Sequence, residues 1–180
     1  MEGTTNRVLI SILTMVARDD LFERLFSGEQ RFKPGHSFLI KGKKVGKAFG
    51  YLADLTNRDY KGLYVTRQHP DHLDTSNMKE RPRIIWLSTT LGKDYVDPQN
   101  LGNLTAMINK FTEDNEKSVI LMDGLEYLMI SNDFQRIISF LEYVNEIVMR
   151  NRSVLFLAID ERAFDEKQLA LLERNMEIVA

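Results

Sequence analysis

The residues with the clearest chemical pattern lie between positions 40 and 49, in the stretch IKGKKVGKAF. Strand-forming residues lead into a turn rich in glycine and lysine, and then into residues with helical spacing. A phosphate-binding P-loop has the same order of parts and reads G-x-x-x-x-G-K-[ST]. Its backbone N–H groups surround the phosphates, its lysine reaches the β- and γ-phosphates, and its hydroxyl holds Mg²⁺.

The match to this pattern is incomplete. Three residues rather than four separate Gly42 from Gly46, so the loop is one residue short, and Ala48 replaces the hydroxyl that would bind the metal. Lys43, Lys47 and the N-terminus of the following helix remain, and such groups attract anions. Three interpretations stay open: a Mg-nucleotide site, a looser phosphate or anion site on Gly42, Lys43, Gly46 and Lys47, and a simple strand-to-helix turn.

An acidic residue further along the chain fits the same phosphate and metal chemistry. The run VILMDG is apolar and ends in Asp123, as in a Walker B strand, where the acid holds the metal through water. Apolar runs that end in an aspartate are common, so the motif gains weight only from the P-loop-like turn that precedes it in the chain.

Two histidines suggest a metal site, with weaker support. His69 and His72 have H-x-x-H spacing and lie close to Asp71 and Asp74. Pro70 prevents a helical presentation of the pair, and no further ligand set is evident. We interpret the segment as a solvated loop and predict no metal site.

The remaining polar candidates point away from catalysis. Lys41, Lys43, Lys44 and Lys47 form a basic cluster that could contact nucleic-acid phosphates, but the stretch is short and has few aromatic neighbours, so a solvated turn is the preferred interpretation. Glu126 and Glu142 are expected at the surface rather than in acid–base roles. No Ser-His-Asp arrangement with an elbow motif is visible.

Composition excludes several classes of function. The 180 residues include no cysteine, which rules out disulfides, cysteine-ligated zinc, iron–sulfur clusters and thiol catalysis. The formal net charge of -2 does not favour nucleic acid or anionic membranes. No apolar run approaches the ~20 residues that span a bilayer. We expect a cytoplasmic protein.

The elements that must position these residues alternate along the chain. Five strands are predicted near 37–41, 62–67, 83–88, 117–123 and 153–160, with amphipathic helices between them. Strands that are apolar on both faces indicate an α/β fold, a three-layer, mostly parallel five-stranded sheet with helices on both sides. Ligands bind such sheets beyond the carboxyl ends of the strands, so the informative residues are those that follow each strand: the 42–48 turn, Arg67, Gln68, Thr89, Thr90, Asp123, Gly124, Asp160 and Glu161.

Helix boundaries are predicted from capping residues. Asp97 followed by Pro98 indicates the start of one helix, and Asn132 and Asp165 indicate the starts of two more. The last of these helices is expected to continue through residue 179.

An N-terminal amphipathic helix is predicted over residues 5–26, so the chain divides into 1–30 and an α/β domain at 31–180. This helix either covers an edge or face of the domain, or forms a homodimer seam or a tether to a protein partner.

The segments GLYVTRQHP, RIIWLS and VILMDGLEYLMISNDFQRIISFLEYVNEIVMRN resemble an archaeal family known as domain of unknown function 835, over residues 36–180. The motif DGLEYL followed by Asn-x-Phe is the most specific part. No activity is established for that family. The resemblance implies an archaeal source and an interaction or regulatory role in signalling.

The order of elements is more distantly similar to the core of RecA- and KaiC-like ATPases. Those proteins carry a catalytic glutamate after the strand that follows the P-loop helix, and the corresponding residues here are Thr66, Arg67 and Gln68. Loop length, metal-binding hydroxyl and general base are therefore altered together. This implies a core that kept its shape after losing its chemistry.

The sequence therefore predicts a non-catalytic regulatory or scaffold module that acts through protein contact, including self-association, with no enzymatic activity and no cofactor. The alternative is an ATP- or GTP-binding protein with weak or no hydrolysis, with Gly42, Gly46 and Lys47 on phosphate and Asp123 near a metal.

Overall fold

The structure is a computed structural model and describes residues 32–179. The helix predicted over 5–26 lies outside the described residues. Among residues 32–179, none of the helices combines the length and the apolar character that crossing a membrane requires.

The described chain forms one sheet in which every strand pair is parallel. The strands follow the order β4-β3-β2-β5-β6-β1-β7 across the sheet. Their bounds are β1 His36–Lys41, β2 Lys61–Thr66, β3 Arg83–Leu87, β4 Tyr95–Val96, β5 Ser118–Asp123, β6 Val154–Ile159 and β7 Glu177–Val179.

Five helices connect these strands: α1 Gly46–Asn57, α2 Leu101–Asp114, α3 Leu125–Ser131, α4 Phe134–Arg150 and α5 Glu166–Arg174. Two short 3₁₀ turns lie at Pro70–His72 and Glu161–Ala163. The predicted α/β class, with a parallel sheet flanked by helices, is confirmed.

Alternate residues of the central strands face opposite layers, because successive side chains of a strand point to opposite sides. On one side, Phe49 of α1 packs against Tyr64 of β2, and Tyr51 of α1 packs against Phe156 of β6, with tilted rings whose centroids are 5.6 and 5.7 Å apart. On the other side, residues such as Ile120 of β5 join a buried cluster with side chains of α2, α4 and α5. The sheet therefore has a buried apolar layer on each of its two faces.

The number of strands was predicted wrongly: the sheet has seven strands rather than five. The five expected strands are present. The two that the sequence pattern missed, β4 and β7, are two and three residues long. Segments this short carry no periodicity of their own, and each is a strand only because it pairs with a longer neighbour, β3 or β1.

The strand β7 also shortens the helix predicted at the C-terminal end. The helix α5 ends at Arg174, and the chain turns at Asn175 before Ile178 and its neighbours pair with β1. Apolar residues continue at near-helical spacing through this turn, and for this reason the pattern did not reveal the end of the helix.

One of the three capping predictions is confirmed. Asp165 caps α5, and its carboxylate accepts from the amide of Gln168 while the Gln168 side chain accepts from the amide of Asp165. The other two are wrong by one to three residues: Asn100 caps α2 and Asp133 caps α4.

The two residues that were predicted as caps but do not cap a helix have other roles. Asp97 accepts from the Gln99 amide in the preceding turn. Asn132 is buried and donates to the carbonyls of Pro98 and Leu128, so it ties two segments together rather than starting a helix.

Candidate functional site

The strand order reverses between β2 and β5, which are neighbours in the sheet. From β2 the chain continues outward to β3 and β4, whereas from β5 it moves the opposite way to β6. The connecting segments therefore leave the carboxyl ends of β2 and β5 in opposite directions and open a crevice between them. In open parallel sheets, ligands bind at this kind of switch point.

A cavity of about 360 Å³ lies at the carboxyl ends of β1, β2, β5 and β6. Its charged lining residues carry both signs and come from all four strand ends: Lys43, Arg67, Asp123, Glu126 and Asp160. Apolar walls come from residues that include Val45, Tyr127 and Ile130. We refer to this space as the switch-point cavity.

The P-loop-like turn contributes only its first part to the switch-point cavity. Gly42 and Lys43 line it, together with Asp123, whereas Gly46 and Lys47 are exposed at the start of α1 and are not among its lining residues. The structure thus brings together three of the five predicted site residues.

The first amide of this turn is committed to the sheet. The amide of Gly42 donates to the carbonyl of Ile159 at 2.9 Å, which extends the β1–β6 ladder by one bond. In the described chain the glycines with positive φ are Gly35 and Gly124, so neither Gly42 nor Gly46 adopts a left-handed conformation. An amide bonded within the sheet is not available to surround a phosphate.

The position of the missing hydroxyl is part of the core. Ala48 has 0% of its surface exposed and packs in the layer beneath α1. Its methyl group has the size that this position accepts, since even one added heavy atom disturbs a closely packed interior.

Asp123 is the acid of the cavity whose pKa is raised. Its Oδ2 atom accepts from the Tyr64 hydroxyl at 3.3 Å and from the Thr66 hydroxyl at 3.5 Å. Burial raises the pKa of Asp123 and the charge of Glu126 raises it further, while Tyr64, Arg67 and Thr66 oppose the shift. Burial also raises the pKa of Tyr64, and the Asp123 charge adds to this, so Tyr64 stays a donor.

Gly124 positions the groups on either side of Asp123. Its φ of +113° lies in the left-handed region that favours glycine, and it starts α3 directly after β5. A Cβ built at Gly124 would lie 3.6 Å from the amide nitrogen of Arg67, so the ends of β2 and β5 approach closely here.

Glu126 belongs to the cavity, contrary to the expectation that it is a surface residue. Its Oε1 atom accepts from the amide of Asp160 at 2.6 Å and so joins the first turn of α3 to the end of β6. The available sequence signal was its spacing, three residues after Asp123, which places both acids at one strand end.

Asp160 is neutralised within the chain. Arg162 donates to both of its carboxylate oxygens, and these bonds, with a smaller effect from the charge of Lys43, hold the pKa of Asp160 at about 2. The lysine of the turn therefore already has an anionic neighbour.

The two histidines lie beside the end of β2 rather than in the cavity lining. The Nδ1 atom of His69 accepts from the Asp71 amide at 3.2 Å, and its ring meets the edge of Trp86 at a centroid distance of 4.7 Å. Among residues 32–179, no group of three or more His, Asp or Glu side chains is arranged to hold a metal ion.

The fold and the site define a parallel α/β domain with a mixed-charge cavity at its switch point. The sequence pattern of the family described as "protein of unknown function (DUF835)" matches residues 41–176. The chain belongs to this family. No curated protein matches it.

Proposed function

We propose that this protein is a non-catalytic regulatory or scaffold module that acts through contacts with other proteins, on a RecA-like core whose nucleotide site has degenerated. The observation that carries the proposal is the hydrogen bond from the Gly42 amide to the Ile159 carbonyl. It commits the first amide of the turn to the sheet, and the loop, one residue short, offers fewer N–H groups to a phosphate than a working P-loop does.

Electrostatics support the same proposal. A nucleotide brings several negative charges, but the cavity lining includes Asp123 and Glu126, two acids that no arginine or lysine pairs with in the described residues, besides the paired Asp160. Asp123 is already costly to ionise beside Glu126. A polyphosphate placed here would add repulsion that Lys43 and Arg67 would have to overcome.

Exposed apolar side chains around the strand ends support a role in protein contact. Ile130 at the cavity wall is 78% exposed, and Leu91 in the loop after β3 is 96% exposed. Trp86 and Tyr95 stack edge-on in the neighbouring strands with ring centroids 4.8 Å apart. Aromatic and apolar residues with nearby arginine are typical of protein interfaces.

The archaeal source, the link to signalling and the homodimer all belong to this proposal. Self-association is attributed to residues 5–26, as expected from their amphipathic pattern. We expect light scattering to give a dimer for the full chain and a monomer after removal of residues 1–28. An unchanged monomer in both samples would contradict the self-association.

Nucleotide binding is the second candidate, because Gly42, Lys43 and Asp123 do line one cavity. It predicts saturable binding of Mg-ATP or Mg-GTP that Lys43→Ala or Lys47→Ala weakens. Such binding would raise the free energy of unfolding by about 2.7 kcal/mol at a hundredfold excess over Kd.

One experiment separates the two candidates. Thermal unfolding is followed with and without millimolar Mg-ATP, and ATP hydrolysis is assayed on the same sample. A non-catalytic module shows an unchanged Tm and no turnover. A Tm increase, or turnover that disappears in Lys47→Ala, would replace the proposal by the nucleotide-binding alternative.

A further inference from the structure

We propose that the switch-point cavity is a binding site for a small zwitterion, a free α-amino acid, whose ammonium group contacts Asp123 and Glu126 and whose carboxylate contacts Arg67 and Lys43. This site goes beyond the proposed protein contacts and does not depend on them. Charged groups of both signs with unused hydrogen-bonding atoms share this cavity.

The size and place of the cavity suit a small molecule. A volume of about 360 Å³ lies at the lower end of the range of ~300–1,000 Å³ that is typical of small-molecule sites. It lies at the carboxyl ends of the four central strands, so Asp123 stands at the end of β5 and the other charged groups lie in the segments that directly follow these strands.

The anionic side of the cavity has free acceptor atoms. Tyr64 and Thr66 both donate to Oδ2 of Asp123, which leaves Oδ1 without a hydrogen bond to the described residues. Oε1 of Glu126 accepts a hydrogen bond from the Asp160 amide, and Oε2 of Glu126 likewise has no hydrogen bond to the described residues. An ammonium group has three donors and can bond to both free oxygens.

The cationic side is equally uncommitted. Arg67 is exposed, and within residues 32–179 its guanidinium group forms no hydrogen bond or ion pair. Its hydrogen bond with Trp86 involves the backbone carbonyl of Arg67 and leaves the side chain unused. Within the described residues, Lys43 forms no hydrogen bond or ion pair; its anionic neighbour Asp160 attracts it only at longer range and is itself paired with Arg162. These two cations can bind a carboxylate with charge-assisted hydrogen bonds.

A ligand with one sign of charge fits this lining poorly. An anion would meet Asp123 and Glu126, and a simple cation would meet Arg67 and Lys43. A molecule that carries both charges can pair with the acids and with the cations at the same time. It can do so in one orientation only, because the reverse orientation would place like charges together. Val45, Tyr127 and Ile130 add apolar surface for the ligand's side chain.

The test uses the full chain and the proteinogenic L-α-amino acids, applied singly at millimolar concentration. Thermal shift and titration calorimetry measure binding, with inorganic phosphate and Mg-ATP as further probes. We expect at least one amino acid to bind saturably. Its N-acetyl and amide derivatives, which each lack one charge, should bind about tenfold more weakly or worse.

Matched variants locate the binding. Asp123→Asn, Glu126→Gln and Arg67→Ala should each raise Kd about tenfold or more, since each removes one charge-assisted contact. Asp114→Asn and Arg58→Ala, at the C-terminal ends of α2 and α1 on the opposite edge of the sheet, should leave Kd unchanged. If one cavity variant fails to fold, the other two still decide the question.

Three outcomes would overturn the proposal. The first is that no amino acid changes Tm or gives heat. The second is that the singly charged derivatives bind as tightly as the parent amino acid. The third is that all three cavity variants keep the original Kd.

Discussion

Asp123 sits where its charge is costly. It ends a central strand, is largely buried, and shares the cavity with a second acid, Glu126. A raised pKa in a cleft is one feature by which candidate binding sites are recognised, and it also makes the ionised side chain a cost to stability.

The raised pKa predicts how stability depends on pH. The folded chain holds the Asp123 proton to higher pH than the unfolded chain, whose value is the ordinary 3.8. The ionised carboxylate therefore lowers the free energy of unfolding above the folded pKa, and this cost is absent below pH 3.8. We expect Asp123→Asn to raise Tm at neutral pH, by an amount that shrinks on acidification, as calorimetry at several pH values would show.

The control for this prediction is Asp114→Asn. Asp114 pairs with Lys110 on the exposed face of α2, so its loss should change the free energy of unfolding by less than about 0.5 kcal/mol. A lower Tm for Asp123→Asn at neutral pH would mean that the hydrogen bonds from Tyr64 and Thr66 outweigh the cost of the charge.

At the scale of elements, α1 contains a glycine at a position where the surrounding atoms leave room for a larger side chain. Gly50 lies in the helix interior, is exposed, and a Cβ built on it meets no atom within 4 Å. We expect Gly50→Ala to raise the free energy of unfolding by about 0.5–1 kcal/mol, because alanine loses less backbone entropy in a helix. Urea unfolding measures the difference.

Gly62 in β2 differs from Gly50, because neighbouring atoms leave no room for a side chain. A Cβ there would lie 2.8 Å from Cγ2 of Thr56 and 3.0 Å from Cβ of Pro82. We expect Gly62→Ala to lower the free energy of unfolding by about 1–3 kcal/mol through overpacking. Equal effects of the two substitutions would contradict the packing between α1 and β2.

The sequence was informative about elements that carry their own pattern. The strands β1, β2, β3, β5 and β6 are apolar on both faces, so their positions and the parallel sheet could be predicted. The strands β4 and β7 could not, because they exist only through pairing with a neighbour.

The candidate site was predictable to a similar degree. Its location at strand ends, and the place of Gly42, Lys43 and Asp123, follow from the order of elements. The bonds from Gly42 to Ile159 and from Asp160 to Glu126 join residues far apart in sequence. No local pattern encodes such bonds, and they decide what the turn and the cavity can bind.

At the scale of the whole molecule, the sheet centre carries both the core and the cavity. Leu157 lies in β6, between β5 and β1, and is fully buried. We expect Leu157→Ala to lower the free energy of unfolding by about 2–5 kcal/mol, through lost burial and the space left behind. Calorimetry or urea unfolding would measure this.

Ile178→Ala is the control, because this side chain is 53% exposed in the short strand β7. Its substitution should cost far less than that of Leu157. A similar loss for both would mean that β7 contributes as much to the core as the central strands do.

Trp86, the single tryptophan of the chain, donates its indole N–H to the carbonyl of Arg67 at 3.0 Å, and its ring touches His69 and Tyr95. The protein therefore contains its own optical reporter beside the cavity. Occupancy that shifts Arg67 should alter the intrinsic emission spectrum of unlabelled protein, and Trp86→Phe should abolish that signal. Stopped-flow fluorescence can then follow ligand arrival in real time without an attached dye.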